Sequence, residues 1–244
     1  MVPVYNEVAL LEQSLDRLMA TPPPTVRGVS MRRTVILVDD GSTDGTTQLV
    51  RTLGQRPGVL AVFHEHNRGK GSALRTALEQ ARTLSPDAAI IHDADLEYDP
   101  ADHAAVLAPI LDGRADAVIG SRFLGQTHRV LYYWHFLANT FITLCSNIMT
   151  NLNLTDIECC FKAFSRQTLE KITINEPRFG VEPELVAKLS KMRLPREDNP
   201  ARTRRARIYE VPVSYSGRTY EEGKKIGPRD GVRALWCILK YNLR

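Results

Sequence analysis

Along the first half of the chain, short apolar runs alternate with stretches whose apolar residues recur every three or four positions. The first rhythm is that of strands, the second that of helices. Residues 2–5 read as a strand followed by a helix over about 8–19, and residues 34–38 as a second strand with a helix opening near Asp44-Gly45. Residues 59–64 precede a helix over about 71–84, residues 88–92 precede one over about 101–111, and residues 115–120 supply a fifth strand. This alternation predicts an α/β fold with a mostly parallel central sheet flanked by helices. Farther on, Trp134, Leu137, Ala138, Phe141, Cys145 and Ile148 have helical spacing, and residues 208–215 alternate as a strand does. Val232, Leu235, Trp236 and Leu239 predict a C-terminal amphipathic helix over 230–243. Residues 21–33 and 195–207, the first proline-rich and the second holding five arginines, read as loops.

A length of 244 residues, 43% of them hydrophobic, allows one substantial core, so residues 1–244 are expected to form a single domain. The formal charge of +4 is uneven. The last fifty residues hold twelve of the 32 Lys and Arg and six of the 28 Asp and Glu, a net +6 against −2 for the rest. A basic tail points to an anionic partner such as phosphate or a membrane surface, and fits a solvated face equally well. A nucleic-acid partner is disfavoured because no reading motif accompanies the charge. The four cysteines, Cys145, Cys159, Cys160 and Cys237, lack C-x-x-C spacing, so neither a disulfide framework nor structural zinc is indicated and a reducing cytoplasm is the default. No signal-peptide pattern opens the chain, and no stretch reaches about 18 uninterrupted apolar residues. The expectation is a soluble protein, or one peripheral on the cytoplasmic face of a membrane.

In an open α/β sheet, ligands bind outside the carboxyl ends of the strands. Those ends carry Tyr5-Asn6-Glu7, Asp39-Asp40-Gly41-Ser42, Asn67-Arg68-Gly69-Lys70 and Asp93-Ala94-Asp95. In Asp93-Ala94-Asp95-Leu96-Glu97 the carboxylates alternate, so in extended geometry all three share one side of the chain. A hard divalent cation, Mg2+ or Mn2+, would relieve their repulsion while a substrate diphosphate supplies further oxygens. Taken alone, such a motif reads as a solvated turn with a helix cap; its place at a strand end favours the metal. Asp40 to Gly45 imitates the start of an EF-hand, yet position twelve is Arg51 and no helix precedes it. A carboxylate there suits ring N–H groups or ribose hydroxyls, with Gly41 allowing the turn and Asp44 fitting a plain helix cap. Asn67 to Gly71 completes neither a Walker loop nor a dinucleotide fingerprint, but a helix opening there offers N–H groups and Lys70 to a diphosphate.

Together, P-x-Y-N-E at Pro3 to Glu7, D-D-G-S-T-D-G at Asp39 to Gly45, N-R-G-K-G at Asn67 to Gly71 and D-A-D at Asp93 to Asp95 resemble family 2 glycosyltransferases. The likeness is to dolichyl- and polyprenyl-phosphate sugar synthases. It continues through Gly120-Ser121-Arg122, Thr155-Asp156, Phe161-Lys162, Val211-Pro212-Val213, Ser216-Gly217-Arg218 and Gly223-Lys224-Lys225, nearly the whole chain. The resemblance implies a GT-A fold, with a nucleotide-sugar-binding half (1–121) and an acceptor-binding half (122–244). It implies a nucleotide-sugar site at Pro3, Val4, Tyr5, Glu7, Asp39, Asp40, Lys70, Asp93, Ala94 and Asp95, and a metal at Asp93, Asp95 and Glu97. Three departures stand out: many relatives carry Gln in place of Glu97, they generally carry several apolar residues before P-x-Y-N-E, and residues 195–207 look like an insertion, expected to be a flexible loop.

The expected reaction is metal-dependent transfer, with inversion, of a hexose from a nucleotide diphosphate sugar of the GDP-mannose or UDP-glucose type to a polyprenyl phosphate. A lipid phosphate, bearing about −1.5 to −2 charges by analogy with phosphate monoesters, needs cationic positioning more than deprotonation. Arg122, Arg218 and Lys225 are the candidates. A hydroxyl acceptor would need a general base, with Asp156 the first choice and Glu182 or Glu184 in reserve. The helix around Trp134 and the C-terminal helix, whose Trp236 and Leu239 lie beside Arg229, Arg233 and Lys240, suit either core packing or peripheral contact with an anionic membrane. Two rival functions are a sugar nucleotidyltransferase, which normally has a glycine-rich basic loop where Tyr5-Asn6-Glu7 stands, and a non-catalytic sugar-nucleotide or lipid-binding protein.

Overall fold

A computed structural model describes residues 1–26, 28–125, 129–130, 132–196, 198–218 and 227–243. The first half is built from strand–helix units: β1 (Val2–Val4), α1 (Leu11–Ala20), the short pair β2 (Thr25–Val26) and β3 (Val29–Ser30), β4 (Val35–Asp39) and α2 (Thr46–Leu53). There follow β5 (Val59–Phe63), α3 (Lys70–Thr83), β6 (Ala88–Ile90), α4 (His103–Leu111) and β7 (Ala117–Ser121). The second half holds α5 (Tyr133–Thr150), β8 (Lys162–Ser165), α6 (Arg166–Lys171), α7 (Val181–Lys191), β9 (Arg193–Pro195), β10 (Thr203–Arg205), β11 (Ile208–Pro212) and α8 (Pro228–Asn242).

β1, β4 and β5 pair in parallel in the order β1-β4-β5, and a second set runs β11-β7-β8-β6. The Met1 amino group donates to Ile90 O at 2.8 Å and His92 N donates to Met1 O at 3.0 Å, which joins the two sets edge to edge. In the resulting sheet only β8 runs antiparallel to its neighbours. Strands covered on both faces need apolar side chains throughout, which is why β4 and β7 are buried at all five positions. α3 lies against β1 and β4 through Ala73, Leu74, Ala77, Leu78 and Ala81, one apolar face in which small residues admit close approach. Each fully buried Leu of that face contributes about 1.5–3 kcal/mol.

Four segments differ from the sequence expectation. Residues 21–33 contain the β2–β3 pair, and residues 195–207 are no flexible loop, because β10 pairs antiparallel with β9. The reason for the second lies elsewhere in the chain: the buried Asp116 needs counter-charges, and Arg204 and Arg207 close on it. The strand expected over 208–215 stops at Pro212, with Tyr215 bridging to Tyr98. The helix expected from residue 101 begins as a 3-10 turn at Pro100–Asp102.

α5, α7 and α8 pack on one another around Ile142, Val186, Ala234 and Ile238. α5 is amphipathic in an inverted sense. Trp134 and Ile148 are 74% and 72% exposed, Leu137, Phe141 and Leu144 are also exposed, and Thr143 and Ser146 point inward. On α8, Val232, Trp236 and Leu239 face outward while Ala234, Cys237 and Ile238 are buried. Among the described residues no helix is long and apolar enough to cross a membrane.

Candidate active site

The loops at the carboxyl ends of β1 and β4 are laced together. Asn6 N donates to Ser42 Oγ at 2.9 Å, Thr43 N to Asn6 Oδ1 at 2.9 Å and Glu7 N to Thr46 Oγ1 at 2.9 Å. Gly41, at φ +69°, has no room for a Cβ beside the His66 backbone. Asp44 accepts from Thr46 N at 3.0 Å, although the cap position of α2 is Gly45 and not Asp44. Asp40 reaches across to the next loop: its buried carboxylate accepts from Arg68 N at 3.0 Å, Gly69 N at 2.6 Å and the His64 ring at 2.7 Å. It therefore sets the entry of α3, where Lys70 stands. Asp39 is tied into its own turn by Ser42 N and Thr47 Oγ1 and lies outside the cavity lining.

That cavity encloses about 1270 Å³ and is lined by Pro3, Val4, Tyr5, Glu7, Asp40, Lys70, Asp93, Ala94, Asp95 and Glu97 from the first half of the chain. The second half contributes Arg122, Glu158, Glu182, Tyr215 and Arg218, together with apolar residues of α5 and α8 such as Tyr133, Phe136, Phe141, Val232 and Leu235. Residues as far apart in sequence as Pro3 and Leu235 thus meet in one space. Lys225 lies outside the described residues.

The acidic motif is not extended. Residues 94–97 turn, Leu96 adopts φ +63°, and Glu97 N folds back onto Asp95 Oδ1 at 3.1 Å. The motif thus departs from the extended form, yet all three carboxylates line the cavity, where two cations serve them. Lys70 Nζ lies 2.9 Å from Asp93 Oδ2, and Arg218 lies 3.2 Å from both Asp95 Oδ2 and Glu97 Oε1. Glu97 is further held by the Tyr215 hydroxyl at 2.9 Å. Among the described residues no group of three or more His, Cys, Asp or Glu side chains is arranged to hold a metal ion. Asp93 and Asp95 still face the same cavity. Burial pushes Asp93 up, but the Lys70 charge overrides it and holds the carboxyl below its usual range. Burial and the neighbouring Asp93 and Glu97 charges push Asp95 up to about 7. Burial would strip the proton from Lys70, but Asp93 and Glu182 more than offset this and its pKa is raised.

Arg122 and Asp156 form a buried pair. Arg122 Nε donates to Asp156 Oδ2 at 2.6 Å, Nη2 to Oδ1 at 2.9 Å and the backbone N to Oδ2 at 3.2 Å, while Nη2 also reaches Asn139 Oδ1 on α5 at 3.0 Å. The guanidinium lies over the Tyr215 ring at 5.1 Å. Asp156 is 0% exposed and outside the cavity lining. Burial would raise its pKa, and Arg122 overcomes this and lowers it, so the group is neither accessible nor basic enough to take a proton from an acceptor. Of its reserves, Glu184 is consumed by Asn175 N, Glu176 N and Lys188, whereas Glu182 faces the cavity with one oxygen on Lys70 Nζ at 3.0 Å. Sequence reasoning missed Glu158, Tyr215 and His64. Tyr215 could have been found from V-P-V-S-Y-S-G-R, which places it three residues before Arg218; nothing in the sequence singled out the other two.

The model of the family described as Glycosyl transferase family 2 matches residues 1–173. An undecaprenyl-phosphate mannosyltransferase of Micrococcus luteus is 26% identical over 263 aligned positions, covering 99% of this chain and 97% of that one. A UDP-N-acetylglucosamine–dolichyl-phosphate N-acetylglucosaminyltransferase of Methanococcus voltae is 26% identical over 186, covering 70% of each. Among solved structures, glucosyl-3-phosphoglycerate synthase from Mycobacterium tuberculosis, in complex with Mn2+, uridine diphosphate and glucosyl-3-phosphoglycerate, superposes with a TM-score of 0.67 at 20% identity. That match covers 99% of this chain and 78% of that one. The likeness shows the GT-A fold expected from the motifs.

Proposed function

The chain belongs to glycosyltransferase family 2, and on that premise we propose that it moves a hexose from a nucleotide diphosphate sugar, of the GDP-mannose or UDP-glucose type, to a polyprenyl phosphate with a divalent cation. The observation that carries the reading is the double character of one cavity. Donor-type residues, Pro3 to Glu7 and Asp93 to Asp95, share it with the apolar faces of α5 and α8. A hydrophilic acceptor gives no reason for Tyr133, Phe136, Phe141 and Leu235 to line the same space; a lipid phosphate does. The printed activities of the Micrococcus and Methanococcus relatives support the same acceptor class.

The donor set fits Mg2+ or Mn2+. Hard cations of this kind take one or two carboxylates with substrate phosphates, and Asp95 is pushed up first by burial and then by the Asp93 and Glu97 charges, a repulsion that a divalent ion would relieve. Asp93 and Asp95 would hold the ion, which when bound neutralises charge on the departing diphosphate. The remaining steps belong to the chain. A phosphate oxygen of the acceptor forms a bond to the anomeric carbon, the bond from that carbon to the diphosphate oxygen breaks, and the nucleoside diphosphate leaves with the electron pair. No proton has to be removed, consistent with a site whose proposed base is buried. Lys70, kept charged by two carboxylates, favours the diphosphate. Arg122, immobilised by Asp156 and Asn139, and Arg218 are fixed positive charges for the acceptor phosphate. Residues 1–121 act as the nucleotide-sugar half and 122–244 as the acceptor half. The outward apolar residues of α5 and α8 form a face larger in character than scattered surface Leu or Val, and its role here is peripheral contact with the membrane that holds the acceptor.

The test is incubation with radiolabelled UDP-glucose or GDP-mannose and polyprenyl phosphate, with and without EDTA. Label entering the organic phase only when Mn2+ or Mg2+ is present is the expected result. Label that stays aqueous with every donor and acceptor tried, or release of pyrophosphate from a nucleoside triphosphate instead, overturns the reading.

A further inference from the structure

Among the described residues two carboxylate oxygens in the cavity have no partner. Glu158 Oε1 and Glu182 Oε2 are both buried, and both residues line the cavity. Glu182 is 6% exposed, and its other oxygen is already on Lys70. Buried polar atoms are nearly always paired, and a carboxylate oxygen kept from both water and protein is an acceptor awaiting a donor. Glu158 has no part in the chemistry derived above, and Glu182 enters it only through the oxygen on Lys70.

The position narrows the ligand. Lys70 Nζ touches Asp93 at 2.9 Å and Glu182 at 3.0 Å, so Glu182 stands one ammonium group beyond the proposed diphosphate subsite. Glu158 feels the charges of both Glu182 and Arg122, the proposed acceptor residue. In a nucleotide sugar, the group that follows the diphosphate, and that must lie next to the acceptor, is the hexose. A further phosphate would be repelled by two carboxylates, whereas sugar hydroxyls supply the missing donors. Resting on the transferase reading above, we infer that Glu158 and Glu182 form the subsite that recognises ring hydroxyls of the donor hexose, with Glu158 its specificity-determining member. Burial first, and then the Glu182 charge, push Glu158 up to about 8, so near neutrality the two carboxyls hold one proton more than two separate carboxylates would. That gives the pair one hydrogen-bond donor beside its acceptors, the complement of a sugar hydroxyl, which both donates and accepts.

The experiment is calorimetric titration, in Mn2+, of UDP and GDP against UDP-glucose and GDP-mannose, using the wild type and Glu158→Leu. Loss of the hydrogen bonds to the sugar is expected to raise the Kd of the nucleotide sugar about tenfold. The Kd of the bare nucleotide should be unchanged, which also shows that the variant is folded. Equal effects on bare nucleotide and nucleotide sugar, or none on either, overturn the inference. A second measurement needs no variant. Donors lacking single ring hydroxyls should bind wild-type protein about tenfold more weakly at one or two ring positions, and indifference to every deoxy donor is again fatal. Should the wild type bind neither UDP nor GDP, it is the transferase reading that falls, and the sugar subsite with it.

Discussion

Replacing Asp156 with asparagine separates two roles that the sequence alone leaves open. Were Asp156 a general base, Asp156→Asn would abolish turnover and leave stability intact. The geometry supports the opposite. Asp156 is fully buried and accepts three hydrogen bonds from Arg122, with further bonds from Asn139 Nδ2 at 3.3 Å and Glu158 N at 3.1 Å. Arg122 is itself largely buried, with 16% of its side chain exposed. Removing one member of a buried ion pair leaves the other charge uncompensated, at a cost of about 3–5 kcal/mol. Asparagine keeps one carbonyl oxygen, so the lower end, about 3 kcal/mol, applies. In a chain of this size each kcal/mol lowers Tm by about 2–4 °C, giving an expected fall of about 6–12 °C. Thermal unfolding followed by circular dichroism reads the shift, and acceptor titration of surviving activity should show a higher KM as Arg122 loses its anchor. A variant that melts with the wild type yet is dead in transfer would refute this account and restore Asp156 as the base.

Asp95→Asn should lower turnover about 10²–10³-fold, and added Mn2+ should not restore what EDTA removes; metal-independent activity in this variant would count against a cation at Asp93 and Asp95. Gly71→Ala places a methyl group on the Glu176 carbonyl, so a loss of about 1–3 kcal/mol in urea unfolding is expected, with weaker nucleotide binding because α3 starts there. The double change Trp134→Ser, Trp236→Ser removes exposed rings from α5 and α8 and should reduce flotation with anionic vesicles without moving Tm; undiminished flotation would show that lipid meets another face. The last prediction concerns acid. Burial raises the Asp116 pKa, but Arg204 and Arg207 override this and bring it down to about 2. A depressed carboxyl contributes stability that is present above the unfolded carboxylate range, near 4, and is lost as pH falls toward about 2. Urea midpoints of the wild type should therefore drop more steeply across that interval than those of Asp116→Asn, and parallel curves would refute the assignment.

Much of the fold could be read along the chain because the evidence for it is periodic and local. The apolar runs at residues 35–38 and 117–119 read as strands covered on both faces, the run at 59–63 as a strand beside them, and the motifs at their carboxyl ends must lie on one edge of the sheet whatever the details of packing. Proximity in space is a different matter. Arg218 beside Asp95, Glu182 beside Lys70 and Arg204 beside Asp116 are meetings of residues 88 to 123 positions apart, and no local pattern encodes them. The turn within the acidic motif has the same origin. Alternating carboxylates imply a shared side only while the backbone is extended, and Leu96 turns left-handed because tertiary contacts through Arg218 and Tyr215 hold Glu97 back. Burial was equally out of reach of the sequence. A helix whose apolar stripe recurs every three or four residues looks the same whether that stripe meets a core or faces outward, and only the packing of α5 against α7 and α8 decided that Trp134 and Ile148 point away from the protein. Chain periodicity thus determined the class of fold and the edge where chemistry gathers. Which charges are paired, which carboxylates stand free and which apolar face is left uncovered were decided by long-range packing, since those properties belong to pairs of distant residues and not to any one segment.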